Sequence, residues 1–322
     1  MHERDFIHSL ARRYPASNSV RVGIGDDGAV LDVPGNQQVV VTDMLLDGVH
    51  FDLRQHALSL VGRKSVAVNL SDLAAMGCRP TAAFVSIAIP KQSSAPAIKF
   101  PEQIYDGIDE LARQFDFVVA GGDTNVWTGP FAINVCLTGV PYVASQVFLR
   151  SSARPDDVIC VSGPLGGSLL SDRHLTFTPR LDLARDLAGA GCVNSAMDIS
   201  DGLAIDLHRL CEASQVGAQL ELDCIPIHSD ALEQARSRQG DRTELSADTR
   251  AQTAAFQDGE DFELLVTMPQ SSWRDIQSSS LGQQLIRIGT VQAELGCRLV
   301  LPNGDIRNLP PLGWEHTSRN ED

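Results

Sequence analysis

The stretch Ala67-Val-Asn-Leu-Ser-Asp-Leu-Ala-Ala-Met76 puts a carboxylate, Asp72, into a run otherwise suited to burial. Residues from about Ala57 to Met76 read as one helix, with Gly77 as a left-handed cap behind it. A charge in such a helix is partly stripped of water and needs a partner. Asn69 and Asp72 stand at i, i+3 and share a helix face. Two partners satisfy the requirement: an arginine in an ion pair, or a hard cation.

The same design recurs along the chain. Asp26-Asp27 lies between glycines, and Thr42-Asp43 ends a strand at Val39–Val41. Gly121-Gly-Asp123-Thr124 ends a strand that begins at Phe117, and Asp198-Ile-Ser-Asp201-Gly202 precedes a helix. Gly259-Glu260-Asp261 precedes a strand from Phe262. One such turn is an ordinary solvated feature. Several acids at element ends, in largely apolar surroundings, indicate a shared site.

The net charge of −15 and the presence of only three lysines, Lys64, Lys91 and Lys99, argue against nucleic-acid or anionic-membrane partners, which need clustered cations. Seven cysteines occur at irregular spacing without a C-x-x-C, so neither a zinc knuckle nor a disulfide framework is expected. The N-terminus lacks the apolar core of a signal peptide, and no apolar run approaches the ~18 residues of a membrane span. These features predict a protein of the cytoplasm.

Hydrophobic residues make up 43% of 322, enough for a sizeable core and about two domains. Phe6, Ile7, Leu10, Ala11 and Tyr14 predict a short opening helix. Thr81–Ile89 reads as a strand ended by Pro90, residues 91–101 as a loop and Pro101–Phe115 as a helix. A short buried strand is predicted at Phe117–Ala120 and another at Phe131–Val140. The polar segment 151–157 sets a boundary between domains 1–150 and 151–322. Beyond it, strands are predicted at Val158–Val161, Phe262–Thr267, Arg287–Val291 and Arg298–Leu301. A helix starts after Gly202, 234–252 reads as a surface excursion, and the last residues as frayed. Strands and helices alternate, so the fold class is α/β or α+β.

Gly23-Ile-Gly25-Asp-Asp-Gly28 matches the dinucleotide fingerprint, but that motif requires a helix directly behind the glycines. Here Ala29–Val33 is β-like. Oxygen ligands without His or Cys clusters favour Mg²⁺, which binds through a few carboxylates together with substrate phosphates. Divalent cations also let an acidic protein bind a nucleotide, so ATP-dependent phosphoryl chemistry is expected. No P-loop or protein-kinase motif set is present.

The ordered set Gly23-Ile-Gly-Asp-Asp-Gly-Ala-Val30, Val41-Thr-Asp-Met-Leu-Leu-Asp-Gly-Val-His-Phe51, Ala67–Gly77, Gly121–Thr124, Asp198–Leu203 and Gly259–Leu265 resembles the thiamine-monophosphate kinase family over nearly the whole chain. The resemblance implies the two-domain fold of the aminoimidazole ribonucleotide synthase superfamily: an N-terminal sheet domain that dimerises and a C-terminal α/β domain. It implies transfer of the ATP γ-phosphoryl group to thiamine monophosphate, with ATP as co-substrate, several Mg²⁺ ions and a homodimer. Asp27, Thr42, Asp43, Asp72, Asp123, Asp198 and Asp201 match its metal positions. Gly122, Asp123, Arg150 and Ser200 match nucleotide contacts, and His50, Glu260 and Trp314 match contacts to the thiamine moiety. Asp43, Asp123 and Arg150 are the residues expected to carry catalysis. Departures from the family pattern are Val41 before Thr42, the stretch Gly163–Leu170, and Trp314, where the family more often has Tyr.

The chemistry agrees with this inventory. A phosphate monoester has a second pKa of about 6, so the nucleophilic oxygen is largely ionised at neutral pH and needs no general base. The task is to bring two polyanions together, which calls for positioning and charge neutralisation. Alternative readings are another ATP-dependent enzyme of the superfamily and a non-catalytic nucleotide-binding descendant. The selenophosphate branch is disfavoured, because no N-terminal glycine-rich segment carries a reactive Cys.

Overall fold

The computed structural model describes residues 7–8, 11–14, 20–33, 36–91, 99–237 and 246–315. A six-stranded sheet is built from β1 (Val20–Val22), β2 (Ala29–Val33), β3 (Asn36–Leu46), β4 (Cys78–Pro90), β5 (Val118–Trp127) and β6 (Ala132–Pro141). Its order is β1-β2-β3-β6-β4-β5, antiparallel except for the β4–β5 pair. A seven-stranded sheet follows, from β7 (Val158–Val161), β8 (Ser195–Ile199), β9 (Gly217–Glu221), β10 (Glu263–Met268), β11 (Ile286–Gln292), β12 (Gly296–Val300) and β13 (Ile306–Asn308). Its order is β13-β12-β9-β11-β7-β10-β8, with only β9–β12 parallel. The predominance of antiparallel pairs makes the class α+β.

The helix predicted over 57–76 is α1 (Leu58–Ala75), and from Val61 to Ala75 every residue except Asp72 is buried. A helix apolar on all sides belongs in the interior. α1 packs on β3, β4 and β6 of the first sheet and on β8 and β10 of the second. One apolar core therefore runs from Val30 through α1 to Val158, Leu264 and Val266, across the predicted boundary. Gly77 ends the helix at φ +65°, the left-handed value expected of it. α2 (Lys99–Phe115) buries Phe100, Ile104, Ile108 and Leu111 along one stripe. It crosses α1 so closely that a Cβ on Gly107 would lie 1.8 Å from the Ser59 carbonyl oxygen.

Several expectations need correction. The strand from Phe117 does not stop at Ala120: β5 runs to Trp127 at the sheet edge, with Val118 63% exposed. Gly-Gly continues the strand because β5 passes too near β4 for a side chain; a Cβ on Gly122 would meet the Val85 carbonyl oxygen at 1.8 Å. The 234–252 stretch is largely helical where described, in α5 (Ser229–Ser237) and α6 (Ala247–Gln257), numbered after α3 (Leu181–Ala190) and α4 (Leu203–Ser214). Its apolar stripe consists of small residues, Ala231, Ala235, Ala251 and Ala255, which polar composition conceals. β3 runs on to Leu46, so Thr42 and Asp43 lie within the strand rather than at its end, and β1, β8, β9 and β13 have no counterpart among the predicted elements. Of the opening helix, residues 7–8 and 11–13 are helical, while Phe6 and Leu10 lie outside the described residues, as do 316–322. No helix among the described residues is long and apolar enough to cross a membrane.

Candidate active site

A cleft of about 440 Å³ opens where α1 passes between the two sheets. Four elements bring acids to one end of it. Asp72 comes from α1, Asp198 from the end of β8, Asp43 from β3, and Asp27 from the turn before β2. Carboxylate oxygens of Asp27, Asp72 and Asp198 lie within 4.8 Å of one another. Asp43 shares a hydrogen bond with Asp72, and Asp198 accepts one of 2.7 Å from Ser71 Oγ. Burial and then mutual repulsion push the Asp72 and Asp198 carboxyls well above the ordinary carboxylate range.

One cation stands among these acids. The Arg150 guanidinium grips Asp27 in a two-pronged contact, at 2.9 and 2.6 Å, while its backbone N–H donates to Asp26 at 3.1 Å. Asp26, pushed up to about 7 chiefly by burial and then by Asp27, backs the cluster. Among the described residues Asp72 forms no ion pair, so the arginine alternative for it is not realised. All-oxygen, mostly buried donors facing a cleft suit a hard divalent cation.

The other end of the cleft has different chemistry. His50, Glu260, Phe262, Leu169 and Trp314 line it. Glu260 accepts from the buried Lys64 ammonium, and His174 Nδ1 lies 3.0 Å from the same oxygen. Trp314 is half-exposed and donates its backbone N–H to the Asp201 carbonyl at 2.9 Å. Ser200 and Asp201 connect the two ends, between β8 and α4. Asp206, one turn into α4, accepts from the Asp201 and Gly202 N–H groups.

Residues 25–141 match the AIR synthase related protein N-terminal domain, and residues 122–300 match its C-terminal domain. A thiamine-monophosphate kinase of Rhodopirellula baltica is 38% identical over 98% of this chain and 97% of its own. The chain belongs to the thiamine-monophosphate kinase family. The Bacillus subtilis thiamine-monophosphate kinase is 32% identical over 98% of this chain and 99% of its own. The solved structure of AaThiL complexed with AMPPCP and TMP aligns with a TM-score of 0.80 at 27% identity, over 98% of this chain and 97% of that one.

Of the residues matched to this family's motifs, Asp43, Asp72, Asp198, Ser200, Asp201, His50, Glu260 and Trp314 all line the cleft. Asp27 joins through the carboxylate cluster. Three do not converge there. Thr42 is exposed on the face of β3 opposite Asp43 and accepts from Asn134 Nδ2 at 3.1 Å. Asp123 pairs in register with Ser86 on that same open face and is exposed, accepting from Thr124 N and Asn125 Nδ2. Strand alternation is the reason: neighbouring residues point to opposite faces, and only the Asp43 face is covered by α1. Gly122 follows β5 away from the cleft and has the packing role described above.

Two further residues take partners other than those expected. Arg150 is engaged by Asp27, and Asp201 by Arg209, which also holds Asp206 at 2.8 Å. The glycine-rich stretch has its amides occupied by carboxylates: Gly166 N–H donates to Asp261 at 2.8 Å and Gly167 N–H to Asp258 at 3.2 Å. Sequence reasoning missed Lys64, His174 and Arg209. Lys64 carried a signal, being one of three lysines and sitting in the same apolar helix as Asp72.

Proposed function

We propose that this chain transfers the γ-phosphoryl group of ATP to thiamine monophosphate, giving thiamine diphosphate and ADP. The observation that carries the reading is a single cleft with a carboxylate cluster at one end and Glu260 with Trp314 at the other. Asp27, Asp43, Asp72 and Asp198 would hold Mg²⁺, which when bound offsets phosphate charge. In that arrangement Asp43 and Asp72 bridge the helix and the first sheet, fixing the acidic end against both. Ser200 lies between the two ends, in reach of a phosphate chain. Incubating the purified protein with ATP, Mg²⁺ and thiamine monophosphate should yield thiamine diphosphate stoichiometrically, and EDTA should stop it. ATP consumed without thiamine diphosphate would overturn the substrate assignment.

Trp314 offers an aromatic face to a cationic thiazolium ring, an interaction of about 1–2 kcal/mol. Trp314→Ala should raise KM for thiamine monophosphate about 10-fold and leave that for ATP unchanged. Equal effects on both substrates would remove the stacking role.

We further infer a homodimer formed through the open face of the first sheet. That face exposes Met44 (59%) and Phe84 (44%) beside Thr42 and Asp123, an apolar surface flanked by polar ligand types. Sedimentation should give twice the 34.7 kDa chain mass; the mass of one chain at micromolar concentration would refute it. The division at 150 and 151 rests on the two sheets drawing their strands from 20–141 and 158–308. All seven cysteines are free thiols, in keeping with the cytoplasm.

A further inference from the structure

Lys64 is fully buried in α1, an unusual position for a lysine. Its ammonium has three N–H donors, and three acceptors surround it. These are the His50 carbonyl oxygen at 2.7 Å, His174 Nδ1 at 2.7 Å and Glu260 Oε2. His174, from the 3-10 turn Arg173–Leu175, is itself 2% exposed. The three come from separate segments: the loop behind β3, the turn before α3, and the loop leading into β10.

The Glu260 carboxylate is consequently divided. Oε2 takes the Lys64 ammonium, which also donates to the neighbouring His174 Nδ1, whereas Oε1 receives no hydrogen bond from any described residue. Glu260 lines the cleft, and its backbone is held at φ +68°, a left-handed value that few non-glycine residues adopt. Its N–H donates to the Ser200 carbonyl at 2.6 Å, which anchors the strained turn. Burial alone would raise the Glu260 carboxyl, but His174 and Lys64 hold it below its ordinary value. The buried ammonium also cancels the Glu260 charge locally. The Glu260 carboxylate itself therefore favours a neutral N–H donor, and the aromatic face of Trp314 is left for a cation.

Lys64 precedes Asp72 by eight residues on α1, a rise of about 12 Å along the helix at 1.5 Å per residue. We propose that Lys64 and His174 are positioning residues that lock Glu260 with one oxygen open, as the acceptor for the ring amino group of an aminopyrimidine substrate. The proposal rests on the thiamine monophosphate reading, whose pyrimidine carries such an amino group. It assigns specificity to two buried residues that do not line the cleft.

The test is steady-state kinetics with thiamine monophosphate and with its analogue bearing a carbonyl oxygen in place of the pyrimidine amino group. Lys64→Met should raise KM for thiamine monophosphate roughly 30-fold, the worth of a hydrogen bond to a charged group, with KM for ATP unchanged. The preference for the amino substrate over the carbonyl analogue should fall by at least about tenfold, for the same reason. In a Glu260→Gln background, Lys64→Met should add nothing further. If Lys64→Met does not fold, His174→Leu serves in its place, and His174→Asn, which keeps an acceptor, should restore the preference. An undiminished preference in either variant would overturn the proposal, as would full additivity with Glu260→Gln or an equal rise in KM for ATP. An unsubstituted enzyme that fails to phosphorylate thiamine monophosphate would instead overturn the function on which the proposal rests.

Discussion

Asp72→Asn is expected to lower kcat by about 10³-fold or more, the scale of removing one electrostatic stabiliser, and to raise the melting temperature of the metal-free protein. The first effect follows from the place of Asp72 in the cluster with Asp27 and Asp198, hydrogen-bonded to Asp43. The second follows from the same crowding. The Asp72 and Asp198 carboxyls sit well above the value of 3.8 they have in an unfolded chain. The native state therefore binds more protons than the unfolded one, and stability is lost as pH rises from about 4 through these raised values. Removing one of the repelling charges should add about 1–3 kcal/mol near neutral pH. Mg²⁺ should raise the melting temperature of the unsubstituted protein at pH 8 and do so much less for Asp72→Asn. Turnover near that of the unsubstituted enzyme would take Asp72 out of the metal site, and a lowered melting temperature would show that its charge is already compensated.

Arg150→Met is expected to destabilise the protein by about 3–5 kcal/mol, the cost of breaking one side of a buried pair. Arg150 is the guanidinium that meets the cluster, and its loss leaves the fully buried Asp27 carboxylate without its partner. Methionine keeps an apolar stem close in size to the arginine methylenes, so the change reads chiefly the loss of the guanidinium. The backbone of Arg150 is held independently, its carbonyl accepting from Ser195 Oγ at 3.0 Å and Ser214 Oγ at 2.6 Å. Urea unfolding of Arg150→Met, Asp27→Asn and the double variant should show the double recovering much of the loss. Additive losses would indicate that Arg150 stabilises through something other than Asp27.

The acidic end of the site was legible in the chain, because each acid stood where local pattern had no use for it. Asp72 interrupts an apolar helix, Asp27 and Asp198 sit in a turn or near a strand end beside small residues, and Asp43 follows the apolar run Val39–Val41 within β3. Desolvation makes such placements costly, so their repetition pointed to one shared purpose. The class of fold, the central helix and its glycine cap could be read for a related reason: periodicity and caps are short-range properties of the chain.

What tertiary structure decided depends on the direction of side chains and on distant partners. Thr42 and Asp43 are adjacent in sequence, yet the pleat of β3 sends them to opposite faces, and only the position of α1 determines which face belongs to the cleft. Asp123 repeated the acid-beside-small-residue pattern of the site, but the register of β5 against β4 turned it to the open face. Lys64 meets His174 across 110 residues and Glu260 across 196. A buried ammonium becomes intelligible only when folding has carried its acceptors to it, because the Coulomb and hydrogen-bond terms that justify it act through space and leave no trace in local spacing.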